Sequence, residues 1–182
     1  MIFAVFRGRS ARASVERLYG AAMAAAREEA LYADLGVADS FEGRFEMLVL
    51  TVGLLTRRLA GDEETREVSR ALMEHFFADM DRTLRQIGVG DLSVPKRIKS
   101  MSEAFFGRLA VYGEALDAGD RDRLAAALRR NVYAGGGADA AVGRLADHVL
   151  AMEAALAARP AADVAAGAIG LPSISPAEGR TP

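Results

Sequence analysis

The chain has 182 residues, 51% of them hydrophobic and 26% charged, which supports one packed domain and excludes wholesale disorder. With 23 Lys and Arg against 25 Asp and Glu the formal charge is −2, so no global field draws the chain onto DNA. The absence of cysteine removes disulfide frameworks, thiolate metal sites and cysteine nucleophiles together, and no stretch reaches the roughly 20 apolar residues that cross a bilayer.

Ala, Leu, Arg, Glu and Met dominate and no two-residue hairpin signal separates alternating runs. The sequence therefore reads as an all-α, single-domain bundle of about six helices with an irregular C-terminal tail. Residues 1–13 form a flexible or surface-associating N-terminal segment: an apolar start is followed by Arg7, Arg9 and Arg12, with no acid before Glu16, a pattern with the charge on the wrong side for a secretory signal. The helical domain spans residues 14–159.

Its first helix covers residues 14–32, with Val15, Leu18, Tyr19, Ala22, Met23, Ala26 and Ala30 on one stripe. Asp39 or Ser40 caps a second helix over 40–60, and Asp62, Glu63 and Glu64 place acid at the start of a third that ends at Ile87. After the loop Gly88-Val89-Gly90-Asp91, a fourth helix starts at Ser93 or Val94 and reaches Leu116. A fifth covers 120–133 and a sixth 138–158, joined through Gly135, Gly136 and Gly137, a linker without the Lys and Ser or Thr of a phosphate loop. Residues 160–182 hold four of the five prolines among Gly, Ser and Ala and read as a tail in which 161–169 could form a helical turn and Leu171 and Ile174 could pack extended.

Leu72, Met73, Phe76, Phe77, Met80, Leu84 and Ile87 recur at three- and four-residue steps, as do Ile98, Met101, Phe105, Leu109, Tyr112 and Leu116; both sets are core stripes. Between Phe45 and Leu55 only Glu46, Thr51 and Gly53 interrupt the apolar run. A helix apolar all round is the central element of its bundle or, alternatively, lines a groove for a hydrophobic client.

No catalytic constellation and no metal or cofactor set emerges. The residues three before His75 and His148 are both leucine, where a carboxylate di-metal bundle requires Glu; the helix flank of His75 reads as structural packing. Asp79 and Asp81 point to different faces and are explained as ion pairs with Arg82 and Arg85, which, with the loop residues Gly88, Gly90 and Asp91, make a structural set. One feature breaks local rules: Lys96, Arg97 and Lys99 crowd the start of the fourth helix, where the helix dipole disfavours cations by about 0.3–1 kcal/mol each. They form an anion site for a phosphate, lipid headgroup, RNA or acidic loop, unless Asp79, Asp81 or Asp91 folds back to neutralise them.

The ordered segments Phe76-Phe77-Ala78-Asp79-Met80-Asp81-Arg82-Thr83-Leu84-Arg85, Gly88-Val89-Gly90-Asp91 and Lys96-Arg97-Ile98-Lys99 through Met101, Glu103, Phe105, Phe106, Gly107 and Arg108 resemble the ubiquinol–cytochrome c chaperone family. So do Leu18-Tyr19-Gly20, the stretches 31–37 and 41–47, and Arg129-Arg130-Asn131-Val132-Tyr133. The resemblance, closest to the shorter bacterial type, implies a non-enzymatic, all-α assembly chaperone for the respiratory cytochrome bc complex (complex III) whose client is newly made cytochrome b. In mitochondrial members it also implies a ribosome contact and a small helical co-chaperone. It implies a cytoplasmic location, peripheral on the inner face of the cytoplasmic membrane, or the mitochondrial matrix in a eukaryote, with no cofactor and no DNA. The expected partner-binding residues are Lys96, Arg97, Lys99, Phe105, Phe106 and Arg108. The alternatives are a helical small-molecule or cofactor-binding enzyme with an inter-helix pocket, and a regulatory domain of a transcription factor, for which no basic recognition helix is evident.

Overall fold

The computed structural model describes the backbone of residues 2–174 and the side chains of residues 12–174. Eight helices occur among the described residues and no strand: α1 (Ile2–Ala26), α2 (Glu29–Ala33), α3 (Phe41–Ala60), α4 (Arg66–Gln86), α5 (Val94–Asp117), α6 (Arg121–Val132), α7 (Asp139–Ala157) and α8 (Ala161–Ala165). The all-α reading holds: α2 splits off the end of the first expected helix, and α8 is the helical turn that the sequence allows within 161–169. The first expected helix differs most. It begins at Ile2 rather than residue 14, and it breaks at Arg27 and Glu28, where Glu28 turns extended (φ −58°, ψ 126°). The break swings α2 and the following loop back so that Leu31, Leu35 and Val37 are buried. The apolar side chains of residues 1–6 lie outside the described residues.

Local chemistry sets most boundaries. Ser40 caps α3 by accepting from the Gly43 amide at 3.1 Å, and Gly43 is required there because a Cβ would sit 2.0 Å from the Ala38 carbonyl oxygen. The acids 62–64 do not start α4: Thr65 turns its hydroxyl onto the Leu59 carbonyl at 2.7 Å, and the helix follows at Arg66. At the other end of α4 the Val89 amide reaches the Leu84 carbonyl (3.0 Å) and the Gly88 amide that of Arg85 (3.1 Å), with Gly88 at φ +86°. This paired closure satisfies the last carbonyls and needs a left-handed residue. The α5–α6 junction repeats it at Gly119, and the next residue, Asp120, then caps α6 by accepting from the Arg123 amide at 2.9 Å.

The second expected helix, now α3, is the centre of the bundle. Every residue from Met47 to Thr56 is buried, and α1, α4, α5, α6, α7 and α8 all pack on it. That enclosure is why the segment has no polar face. Its two buried threonines satisfy themselves, Thr51 donating to Met47 O (2.8 Å) and Thr56 to Gly53 O (2.9 Å), as buried hydroxyls must. Gly53 lets α5 approach, since a Cβ there would meet Leu109 at 3.0 Å. At the helix end Arg57 bonds Glu153 on α7 and Asp117 on α5, and Arg58 donates to the Leu156 and Arg159 carbonyls, closing the C-terminus of α7.

The glycine triplet is a linker. The Arg129 guanidinium gathers the Gly136 and Gly137 carbonyls and Asp139 around it. The tail is more ordered than its composition suggests. After α8, Ile169 and Ile174 are buried against the body, and the Ile174 amide donates to Glu28 Oε1 at 2.9 Å. Residues 175–182 lie outside the described residues.

Candidate functional site

The hairpin made by α4, the 87–93 turn and α5 carries every residue singled out for function in the sequence. Its base is an aromatic cluster. Phe76 lies 4.9 Å from Phe77, 5.3 Å from Phe105 and 6.2 Å from Phe45 on α3, and Phe105 lies 5.4 Å from Phe106 at an interplanar angle of 88°. Edge-to-face pairs of this kind add about 0.5–1.5 kcal/mol beyond the area they bury. Phe105 is 0% exposed and Phe106 50%. Phe105 is therefore core and offers no surface to a partner, which corrects its assignment as a contact residue. Phe106 stands edge-to-face with Phe105 and 6.5 Å from Phe77, and half of it faces solvent.

Arg108 has a partner within the fold. Its guanidinium makes a two-pronged bond with the Glu46 carboxylate of α3, 2.5 Å on each arm, and also donates to the Ala104 carbonyl at 3.2 Å. Glu46 is almost wholly enclosed; burial pushes its carboxyl above the usual range, against the pull of Arg108. The acid that interrupts the apolar run in the sequence is thus matched by Arg108, which keeps part of its side chain in solvent. A lone Glu inside an otherwise apolar helix was the signal that a partner was needed, but nothing in the spacing says which residue supplies it.

The acids of the hairpin are engaged by arginines. Asp79 pairs with Arg82 (3.4 Å) and Asp81 with Arg85 (2.7 Å), while Arg85 also holds Asp91 across the turn. Sequence reasoning missed the second partner of Asp79: the Tyr19 hydroxyl of α1 donates to it at 2.8 Å, and burial, then this bond, push the phenol far up. His75 packs its ring edgewise on Tyr19, 4.7 Å between centroids.

With Asp79, Asp81 and Asp91 so engaged, none neutralises the start of α5. Lys96 and Arg97 are exposed and have no ion-pair partner among the described residues; Lys99 has only Glu103 at 3.9 Å. The first turn of α5 contains no acid, and Ser93 makes no side-chain cap. Apolar exposure gathers on the same hairpin. Ile87 (59%), Leu92 (98%) and Phe106 (50%) are the exposed large hydrophobic residues among those described. Ile87, expected in the core stripe of α4, misses it because the helix closes at Gln86 and Gly88 turns the chain away.

Between α1, α3 and α4 lies a recess of about 200 Å³ in which Met23, Phe45, Leu48 and Met80 line the wall together with Arg27, Arg44 and Asp79. A second, more open cavity of about 490 Å³ is lined by the polar side chains of Arg27, Glu29, Tyr32, Asp39 and Arg44. Among the described residues no cluster of His, Asp or Glu is arranged to hold a metal, and no helix is long and apolar enough to cross a membrane.

The model of the ubiquinol-cytochrome C chaperone family matches residues 33–171. The chain belongs to that family. The crystal structure of the Cbp3 homolog from Brucella abortus is similar over 96% of this chain and 98% of that one, with 36% identity and a TM-score of 0.86. No curated protein is matched. The chain is thus a non-enzymatic ubiquinol-cytochrome c chaperone, and the family match takes in the whole hairpin and the central helix α3 while leaving α1 outside it.

Proposed function

We propose that this chaperone serves assembly of the cytochrome bc complex by holding newly made cytochrome b at the membrane face, through an apolar surface on α5 and a basic patch beside it. The observation that carries this reading is the concentration on one hairpin of exposed Phe106, exposed Ile87 and Leu92, and uncompensated Lys96 and Arg97. Each is unfavourable in an isolated domain. Apolar side chains left in water forgo about 1.5–3 kcal/mol of burial apiece, and cations at a helix start cost a few tenths of a kcal/mol or more. Such violations mark a surface that is completed by something else. Membership of the ubiquinol-cytochrome C chaperone family and the likeness to a Cbp3 homolog support this reading.

The test is capture of a C-terminally tagged copy from its native host in mild detergent. Cytochrome b is expected to co-purify without its full set of partner subunits. Phe106→Ala is expected to reduce that recovery with little change in melting temperature, whereas Phe105→Ala should cost about 3–5 kcal/mol of stability. Normal assembly of the bc complex without this protein, with no cytochrome b recovered, would overturn the reading.

A further inference from the structure

We propose that the tip of the α4–α5 hairpin is a lipid anchor, in which Leu92 enters the interface of an anionic bilayer and Lys96 and Arg97 lie among the headgroups. Three observations carry the inference. Leu92 is 98% exposed at the apex of a turn whose Val94 is fully buried two residues later and whose Asp91 is held back by Arg85. The turn is therefore fixed and the leucine projects from it; it is not a loose loop with a stray side chain. Ile87, at the start of the same turn, is exposed too, so the turn carries two large apolar side chains in solvent within six residues. Last, residues 87–99 hold three cations, Lys96, Arg97 and Lys99, against the single acid Asp91, in a chain whose net charge is −2. The tip is opposite in sign to the molecule as a whole and complementary to an anionic surface, toward which it would orient the body.

Apolar tips with basic flanks bind interfaces by the sum of two modest terms. Long cationic side chains can lie along the apolar layer and keep their charged ends at headgroup level. Arg66, at the far end of α4, is about 30 Å away along the helix axis, so the basic tip can meet lipid while the rest of the bundle stays in water. Phe106 stands ten residues, about 15 Å, down α5 from Lys96. An anchored tip would hold that face beside the membrane, where a membrane-protein client emerges. The anchor itself requires no client.

The protein has no tryptophan, so Leu92→Trp places a single reporter at the apex. On vesicles of phosphatidylcholine mixed with phosphatidylglycerol, at about 10 mM salt where screening reaches about 30 Å, its emission is expected to shift to the blue and to be quenched by brominated lipid. Lys96→Glu should weaken binding of the wild-type background to these vesicles at least fivefold, since each cation near such a surface contributes roughly that factor; Arg66→Glu, the same charge change at the far end, should not. An unshifted spectrum together with no co-flotation on anionic vesicles overturns the anchor, as does equal loss with Lys96→Glu and Arg66→Glu. A blue shift that comes only when detergent-solubilised cytochrome b is added overturns it in favour of a protein contact. Because the vesicle assay contains no client, its failure leaves client capture through Phe106 standing, and failure of client capture leaves the anchor standing.

Discussion

Phe105 and Phe106 are neighbours in sequence and opposites in the fold, and the difference follows from the turn of one helix. Phe105 falls on the stripe with Ile98, Met101, Leu109 and Tyr112, and that stripe meets α3 and α4; one residue further on, the side chain has rotated out of it. The burial of Phe105 was therefore legible from spacing, and assigning both rings to a partner overrode it. The Glu46–Arg108 bond was not legible, because its members are 62 residues apart on different helices. Removing Arg108 strands a buried carboxylate. Arg108→Ala is expected to lose about 3 kcal/mol in urea unfolding at neutral pH, the low end for a broken buried pair since Arg108 keeps some exposure, and Glu46→Leu combined with Arg108→Met should recover most of it. The sign with pH is fixed. Without its cation, Glu46 has a folded-state pKa raised further above the unfolded value, so the folded form holds its proton more tightly. The deficit of Arg108→Ala should therefore shrink as pH falls toward the ordinary carboxylate range. A deficit that stays constant with pH would mean that packing, not charge, is what Arg108 supplies.

At the scale of the helix, boundaries depend on caps more than on stripes. The stripe of α4 continues to Ile87 in the sequence, but the closure at Gly88 ends the helix before it, and only the handedness of a glycine distinguishes the two outcomes. The split between α1 and α2 had no sequence signal at all, since Arg27 and Glu28 are good helix formers; the pull comes from burying Leu31 and Leu35. Gly107 presents the reverse case. It lies mid-helix in α5, exposed, and a Cβ there would meet nothing within 4 Å. Gly107→Ala is expected to stabilise the fold by about 0.5–1 kcal/mol, read as a rise in melting temperature. If cytochrome b recovery falls in that more stable protein, the bare backbone beside Phe106 is part of the client contact.

For the molecule as a whole, the tail shows where composition misleads. Proline, glycine and alanine without periodicity read as irregular, yet Val164 in the short helix α8 and Ile169 and Ile174 in the extended strap after it are all buried, because single apolar residues in an extended segment need no helical spacing to be buried. Tyrosines across the fold are also drawn inward: burial pushes the Tyr112 and Tyr133 phenols up to about 12. In the unfolded chain they ionise near about 10. Between those values the folded state keeps protons that the unfolded state has released, so stability falls as pH rises above about 10. The melting temperature is expected to decline through that range, and Tyr133→Phe, which gives up the 3.0 Å bond to the Leu35 carbonyl, should start lower but decline less steeply. An equally steep decline in that variant would remove Tyr133 from the account.

The enclosure of α3 has a consequence for how the protein is made. Its apolar surface is covered on one side by helices translated before and just after it, and on another by α7 and α8, which leave the ribosome about a hundred residues later. Until then the growing chain carries an uncovered hydrophobic helix, so a member of a chaperone family itself exposes, during its own synthesis, a surface that needs cover.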